Sequence, residues 1–213
     1  FGYDFFFKQT ESNVQTPTNL PTPPDYVLGP GDDIVVRLYG STNVTWDLNV
    51  SKGGDVFLPG IGPVMVAGEV FQDFQETIKD IVTKQMVGTS VVVTMGKLRS
   101  IDIFVLGEAI QPGMFTISSL TTLTNALFET GGINVTGSLR NVQLKRKGKV
   151  IATLDFYDLL LKGDTSQDLA MNQGDVIFIP PIARTAGVAG EVVRPGIYEL
   201  KEDETLGDLI RFA

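Results

Sequence analysis

A nine-residue segment occurs twice in this chain, and the distance between its copies restricts the folds that the chain can adopt. Residues 107–115 align without gaps with residues 190–198, 83 positions further along. Repeats of solenoid and propeller proteins are shorter, about 20–50 residues, so this spacing predicts tandem small domains. The shared residues are Gly107, Glu108, Pro112 and Gly113 in the first copy and Gly190, Glu191, Pro195 and Gly196 in the second.

The residue types around the repeat predict the structure of each copy. Each copy is expected to form a strand, a Pro-Gly turn, a second strand and a short helix. Proline fixes φ at the first corner of a turn, and glycine permits a positive φ at the second. A type II turn is therefore predicted in each copy, with Gly113 and Gly196 at positive φ. The helix predicted for residues 122–130 is expected to end at a left-handed Gly131.

The chain divides into four stretches on this basis. Residues 1–25 are predicted to be an N-terminal arm, because residues 8–25 are polar and rich in proline. Residues 26–97 contain alternating apolar positions and one amphipathic helical pattern. Residues 98–182 contain the first copy of the repeat, and residues 183–213 contain the start of a second, truncated copy. Short strands and helices in small tandem domains predict an α+β fold.

Two aspartates are predicted to have a structural role in turns. Asp32 closes the segment Gly29-Pro30-Gly31-Asp32, and Asp175 also follows a glycine and precedes a predicted strand. Asx turns are common at such positions, so this role is preferred to ligand binding.

Composition excludes several classes of protein. The chain has no histidine and no cysteine, which removes histidine acid–base catalysis, thiol nucleophiles, disulfides and Cys/His zinc sites. Its 17 Lys and Arg against 25 Asp and Glu give a net charge of −8, whereas nucleic-acid binding needs clustered positive charge. We therefore predict no cofactor and no nucleic-acid partner. The longest apolar runs are strand-length, so no transmembrane helix is predicted.

The order of the motifs resembles that of a known bacterial family. The segment Tyr-Val-Leu-Gly-Pro-Gly-Asp at 26–32 resembles the opening of the polysaccharide export domain, and residues 55–68 look like its second signature. The repeated Gly-Glu-x-x-x-Pro-Gly segments, with Thr-Leu and Gly-Gly downstream, resemble SLBB modules, the soluble-ligand-binding variety of the β-grasp fold. Together the motifs are similar to bacterial outer-membrane capsule and exopolysaccharide export proteins. The aromatic start and proline-rich arm look like the larger members with several SLBB modules.

This resemblance implies a non-catalytic role in the periplasm of a Gram-negative bacterium, in association with the outer membrane. Members of the family form periplasmic rings below an outer-membrane exit. The resemblance thus implies a ring of identical subunits that guides an acidic or neutral polysaccharide. It also implies an inner-membrane partner of the polysaccharide co-polymerase or tyrosine-kinase type, and contact with the outer membrane through other parts of the protein. The chain is accordingly expected to be a fragment of a longer protein.

Two departures from the family pattern affect these expectations. The family usually starts the helix after Val-Ala-Gly with a threonine, where this chain has Glu69 and Val70, so the hydroxyl N-cap is expected to be missing. The lipid-anchoring cysteine common among relatives is absent from these residues, so they give no support for acylation.

Two other functions stay open at this point. A periplasmic module could hold a sugar or another soluble ligand without transporting it. A carbohydrate-active enzyme could use Glu108 and Glu191, because paired carboxylates catalyse glycoside hydrolysis. Repetition of the fold explains the repeated glutamates more simply, so a scaffold without catalysis is predicted.

A basic cluster stands out in this acidic chain. It could bind an acidic polysaccharide or an acidic face of a neighbouring subunit, but a solvated hairpin tip is the simpler explanation. Its members are Lys145, Arg146, Lys147 and Lys149.

Aromatic residues provide two more candidates. Tyr39 and Trp46 could stack on sugar rings, although packing within or at the edge of a sheet is the commoner role. The three phenylalanines at positions 5–7 are predicted to dock on another surface, in this chain or in a neighbour.

Overall fold

The computed structural model of the protein describes residues 1–7 and 22–213. Residue contacts divide the chain into two compact units. One unit contains the N-terminal residues together with Ile101–Ala213, and the other ends at Ser100. The extended arm predicted for residues 8–25 falls mostly outside the described residues. At the N-terminus, Asp4–Phe7 form a single helical turn, α1.

The unit that ends at Ser100 combines a three-stranded sheet, a hairpin and one helix. Its elements are β1 (Asp33–Gly40), β2 (Val44–Asn49), β3 (Asp55–Leu58), β4 (Gly62–Met65), α2 (Phe71–Gln85) and β5 (Thr89–Met95). The antiparallel sheet has the order β2-β1-β5, and β3 pairs with β4 in the hairpin. Alternation along β1 buries Ile34, Val36 and Leu38, as expected for a strand with one covered face. The amphipathic pattern of α2 buries every third or fourth residue, including Phe74 and Ile78.

The helix α2 begins without a side-chain cap. Its N-cap residue is Val70, whose backbone is extended and whose side chain makes no capping hydrogen bond. The absence of a hydroxyl N-cap, predicted from the sequence, is confirmed.

The other unit contains two modules, each built around one copy of the repeat. The first module contains β6 (Ser100–Gly107), β7 (Gly113–Ser118), α3 (Leu123–Glu129), β8 (Val142–Arg146), β9 (Lys149–Leu154), a π-helical turn (Asp158–Lys162) and β10 (Val176–Ile179). Its five strands form one sheet with the order β7-β6-β10-β8-β9, in which β10 is parallel to β6 and antiparallel to β8. The second module contains β11 (Arg184–Val188), β12 (Gly196–Leu200) and α4 (Leu206–Phe212).

The two modules repeat the same order of strand, strand and helix. Thr122 caps α3 by accepting a hydrogen bond from the backbone of Asn125, and Thr205 caps α4 in a capping box with Asp208. Gly131 ends α3 with a φ of +95°, so the predicted helix stop is confirmed. Buried residues of both modules belong to one hydrophobic core.

The predicted type II turns are wrong. Gly113 and Gly196 are the first residues of β7 and β12 and do not have positive φ. The left-handed glycine of the motif is its first one, with a φ of +85° at Gly107 and +101° at Gly190. A Cβ on Gly107 would lie 2.1 Å from the carbonyl oxygen of Ile179, so close approach of β6 and β10 requires glycine here.

Among the described residues, no helix has both the length and the apolar character needed to cross a bilayer.

Candidate functional site

The turn before β1 is closed by the buried carboxylate of Asp32, which accepts four hydrogen bonds. One oxygen accepts from the hydroxyl of Tyr26 at 2.7 Å and from the backbone of Arg99 at 3.0 Å. The other accepts from the backbone of Gly29 at 2.9 Å and from the guanidinium of Arg99. Four bonds use the full acceptor capacity of a carboxylate, so Asp32 is a structural ion-pair residue. The Asx turn expected here is wrong, because the side chain bonds backward to a residue three positions earlier.

Asp175 closes the turn before β10 in the same way. Its carboxylate is fully buried and accepts from the backbone of Asn172 at 2.8 Å, again three residues earlier, so an Asx turn is wrong here too. The guanidinium of Arg146 donates two bonds of 2.7 Å to the two oxygens. This bidentate hydrogen bonding raises the pKa of Arg146.

The predicted basic cluster lies on the hairpin of β8 and β9, but its members have different surroundings. Arg146 is held by Asp175, and the ammonium of Lys145 lies 4.0 Å from the centre of the Phe178 ring. Lys147 forms the tip with a φ of +50°, and both Lys147 and Lys149 are exposed. Among the described residues, neither of these two side chains has a hydrogen bond or an ion pair. Two of the four cations are therefore available to a partner.

The glutamates of the repeat occupy the turn that follows the first strand of each module. Glu108 is half-buried and accepts a bond of 2.5 Å from the hydroxyl of Thr136, whereas Glu191 is exposed. The backbone N–H of Glu108 also donates to Ile179 at 2.9 Å, which ties this turn to β10. The remaining motif residues, Pro112 and Pro195, directly precede the first residues of β7 and β12.

The structure does not bring the two candidate sugar-stacking residues together. Tyr39 lies on the outer face of β1 and is 51% exposed. Trp46 pairs in register with the buried Val36, so its side chain lies on the same face as Val36, opposite to Tyr39. It is half-buried. Two depressions lie along this sheet, and Tyr39 lines only one of them.

A buried arginine joins the two modules of the second unit. Arg140 precedes β8 in the first module and is 5% exposed. Its guanidinium donates to the carboxylate of Asp155 in the same module at 3.1–3.3 Å. It also donates to the carboxylate of Glu204, at 2.8 Å from Nη2, and to the carbonyl of Glu199, at 3.2 Å. Because both glutamates belong to the second module, one side chain ties the two modules together.

Aromatic rings and further polar bonds surround this arginine. The guanidinium lies 4.6 Å from the centre of the Tyr157 ring and 5.1 Å from that of Phe212. Burial by itself lowers the pKa of Arg140, but the hydrogen bonds and charges of Glu204 and Asp155 outweigh it and raise the pKa. Burial also raises the pKa of the Tyr157 hydroxyl to about 12. That hydroxyl accepts a bond from the backbone of Glu199 at 2.9 Å.

The N-terminal segment packs on the same unit. The rings of Phe5 and Phe6 lie 4.9 and 5.2 Å from that of Phe128, and Phe6 is also 5.1 Å from Phe156. The Phe1 ring stacks on Tyr198 at 4.9 Å. The predicted docking of the aromatic start is confirmed for residues 5 and 6, while the side chain of residue 7 lies outside the described residues.

Comparison with protein families places these parts in a known order. The model of the polysaccharide biosynthesis/export protein family matches residues 20–96, and that of the SLBB domain matches residues 102–179 and 185–213. The chain therefore contains a polysaccharide export domain followed by SLBB domains. The unit ending at Ser100 is its export domain, and the two modules are SLBB domains.

Two relatives from different bacteria share this region. The polysialic acid transport protein KpsD of Escherichia coli is 32% identical over 185 residues, which is 84% of this chain and 32% of that protein. The EPS I polysaccharide export outer membrane protein EpsA of Ralstonia solanacearum is 32% identical over 191 residues, which is 86% of this chain and 50% of that protein. The chain thus spans about a third to a half of the length of these relatives.

Sequence reasoning missed Arg140, a residue that links the two SLBB domains. Its acidic partners lie 15 and 64 positions away in the chain, at Asp155 and Glu204. An arginine followed by asparagine just before a strand has no local feature that separates it from a solvated one. Buried arginines are found with paired carboxylates, but from sequence alone nothing selects which of the 25 acidic residues these are.

The bond to Glu204 makes the junction of the SLBB domains sensitive to acid. Burial raises the pKa of Glu204, but the hydrogen bond from Arg140 and the backbone bond from Lys201 outweigh it, so the net pKa lies below the ordinary 4.5. A lowered pKa in the folded state gives stability that is present above 4.5 and is lost as the pH falls through the lowered value. We expect the urea midpoint of this unit to decrease as the pH falls below 4.5. The midpoint of the Glu204→Gln variant should decrease less over the same pH range. If the urea midpoints of the two proteins depend equally on pH, this role for Glu204 is contradicted.

Proposed function

We propose that this chain is the periplasmic part of an outer-membrane polysaccharide exporter, and that copies of the protein assemble into a ring through which the polymer passes. The observation that carries the proposal is the order of one export domain and two SLBB domains. Relatives named for polysaccharide transport and export align with this arrangement over 84% and 86% of the chain. Most soluble homo-oligomers have closed point-group symmetry, and cyclic association of identical subunits gives a ring.

The proposed role is that of a scaffold without catalysis. Three of the four acidic residues that the sequence brought to attention are used by the fold: Asp32 and Asp175 are buried in ion pairs, and Glu108 is bonded to Thr136, whereas Glu191 is exposed. Glycoside hydrolysis needs two carboxyl groups at one bond. The repeat instead supplies one glutamate to each SLBB domain.

The hairpin of β8 and β9 is our candidate for contact with polymer or with a neighbouring subunit. Lys147 and Lys149 are exposed at its end, whereas Lys145 and Arg146 already have partners. Two exposed lysines give weak, salt-sensitive attraction to an acidic surface. Weak contact suits a conduit, since tight binding would slow the passage of the polymer. Energy for transport would come from an inner-membrane partner of the co-polymerase or tyrosine-kinase type.

Deletion of the gene tests the proposed role in export. In the bacterium that encodes the protein, we expect surface polysaccharide to disappear and polymer to accumulate in the periplasm, with recovery on re-expression of the full-length protein. Mass measurement of that protein in detergent is expected to give an oligomer. Normal surface polysaccharide in the deletion strain, or a strictly monomeric protein, would contradict the proposal. If the protein is a ligand-binding module without a transport role, surface polysaccharide should stay normal in the deletion strain.

Charge reversal on the hairpin tests its contact role. We would compare the surface polysaccharide that Lys147→Glu/Lys149→Glu restores to the deletion strain with that restored by Lys52→Glu/Lys79→Glu, which changes the net charge equally at exposed lysines of the export domain. We expect the hairpin variant to restore less polysaccharide than the export-domain variant, and equal restoration would contradict the contact role.

A further inference from the structure

We propose that a depression on the outer face of the export-domain sheet binds a carboxylate-bearing sugar unit of the exported polymer. The depression has a volume of about 540 Å³ and is lined by residues at the end of β1, the start of β2 and the middle of β5. Two of these residues, Arg37 and Tyr39, belong to β1, the central strand of the sheet. This inference rests on the proposed function, because it assigns the site to a unit of the polymer.

The geometry of the strand places these two side chains next to each other. Residues two positions apart on a strand lie on the same face, about 6.6 Å apart. Burial along β1 follows this alternation, since Val36 and Leu38 are buried whereas Arg37 and Tyr39 are exposed. A cation and an aromatic ring at this spacing can contact the carboxylate and the ring of the same pyranose.

Arg37 differs from the other arginines of the chain because its guanidinium has no partner within the described residues. Each of the other six arginines makes a hydrogen bond, an ion pair or a ring contact. The cross-strand neighbours of Arg37 are Thr45 on β2 and Val92 on β5, neither of which carries a charge. A guanidinium binds a carboxylate through two parallel hydrogen bonds, so this free group favours an acidic ligand.

Tyr39 and its neighbours supply the other groups that a sugar requires. The side chain of Tyr39 is 51% exposed and contacts no other aromatic ring among the described residues. Its open face is available to the C–H groups on the apolar face of a pyranose. Thr45 lines the same depression with a hydroxyl that can both donate to and accept from the hydroxyl groups of the sugar.

A second depression on the same face has the opposite charge and gives an internal comparison. Its charged lining residues are Asp33, Asp47 and Lys97, so one lysine faces two aspartates. None of its described lining residues is aromatic. In the first depression Arg37 is the only charged residue among the described lining residues. We therefore assign the acidic sugar to the depression of Arg37 and Tyr39, and not to its neighbour.

Titration of the full-length protein with a matched pair of oligosaccharides tests the site. The probes are tetragalacturonate, in which each unit carries a carboxylate, and its methyl ester, in which the same units are neutral. Saturation-transfer NMR is expected to show tighter binding of tetragalacturonate. Arg37→Gln should weaken that binding about tenfold and leave the binding of the ester unchanged, because only the charge-assisted pair is lost. Tyr39→Ser should weaken the binding of both probes, because stacking does not depend on the carboxylate.

Lys97→Gln is the matched control, because it removes one positive charge from the other depression on the same sheet. It should leave the affinity for tetragalacturonate nearly unchanged. If Lys97→Gln and Arg37→Gln weaken binding equally, the attraction is general and the proposed site is wrong. If the wild-type protein binds neither probe, the site is also overturned, whereas the loss of surface polysaccharide on gene deletion would still support the proposed function. All three substituted side chains are exposed, so the urea transition of Trp46 fluorescence should match that of the wild-type protein.

Discussion

Replacing Arg140 with methionine is expected to destabilise the SLBB pair by about 3–5 kcal/mol, the usual cost of removing one member of a buried ion pair. The carboxylates of Asp155 and Glu204, 7% and 15% exposed, would lose their shared counter-charge. Methionine retains an apolar chain that can pack between the rings of Tyr157 and Phe212, so most of the loss is electrostatic. Lys201 also pairs with Asp155, at 2.6 Å, and this contact remains.

Urea unfolding followed with two probes locates the effect. The single tryptophan, Trp46, lies in the export domain, so its fluorescence reports that unit, while circular dichroism also follows the SLBB pair. We expect Arg140→Met to shift the SLBB transition and to leave the tryptophan transition unchanged. The matched control is Arg211→Met, which removes an ion pair of an 80% exposed arginine and should cost under about 1 kcal/mol.

A second substitution separates charge from packing at this position. Adding Glu204→Gln to Arg140→Met removes one of the uncompensated carboxylates, so the double variant is expected to recover part of the lost stability. If the double variant is as unstable as the sum of the two single changes, the loss comes from packing, and the electrostatic explanation is wrong.

Local patterns in the sequence predicted the strands and helices. Features that depend on contacts between residues far apart in the chain could not be predicted from these patterns. Alternation gave β1, and helical spacing gave α2, because the buried face of each depends on residues a few positions apart. The repeat predicted the same order of elements in both SLBB domains. The left-handed glycine was assigned to Gly113 rather than Gly107 because the requirement at Gly107 comes from Ile179, on a strand far along the chain.

For the candidate sites too, residues close together in the sequence could be predicted, whereas their partners far along the chain could not. The basic cluster was recognisable, but the bond from Arg146 to Asp175 was not, because it joins residues 29 positions apart. The N-terminal phenylalanines were expected to dock, since three consecutive aromatic residues are costly to expose. The surface on which they dock, formed at Gly132 and Phe128, could not be predicted because close packing against a glycine has no distinguishing sequence pattern.

The export domain has its own buried ion pair, and Asp32→Asn is expected to destabilise that domain by about 3 kcal/mol. An amide offers one oxygen, so two of the four donors to Asp32 would face an NH2 group. The guanidinium of Arg99, 27% exposed, would also lose its counter-charge. The shift should appear in the Trp46 fluorescence transition, with the SLBB transition unchanged.

The adjacent aspartate provides the control for this substitution. Asp33 begins β1 and accepts a bond from Asn49 at the surface, so Asp33→Asn should cost no more than about 0.5 kcal/mol. Both substitutions remove one negative charge at neighbouring positions, so the difference between them isolates burial and bonding. If the two variants unfold at the same urea concentration, Asp32 does not hold the turn. In that case the turn would depend instead on the backbone bonds of Gly31 and Asp32, which link it to Val50 and Gly29.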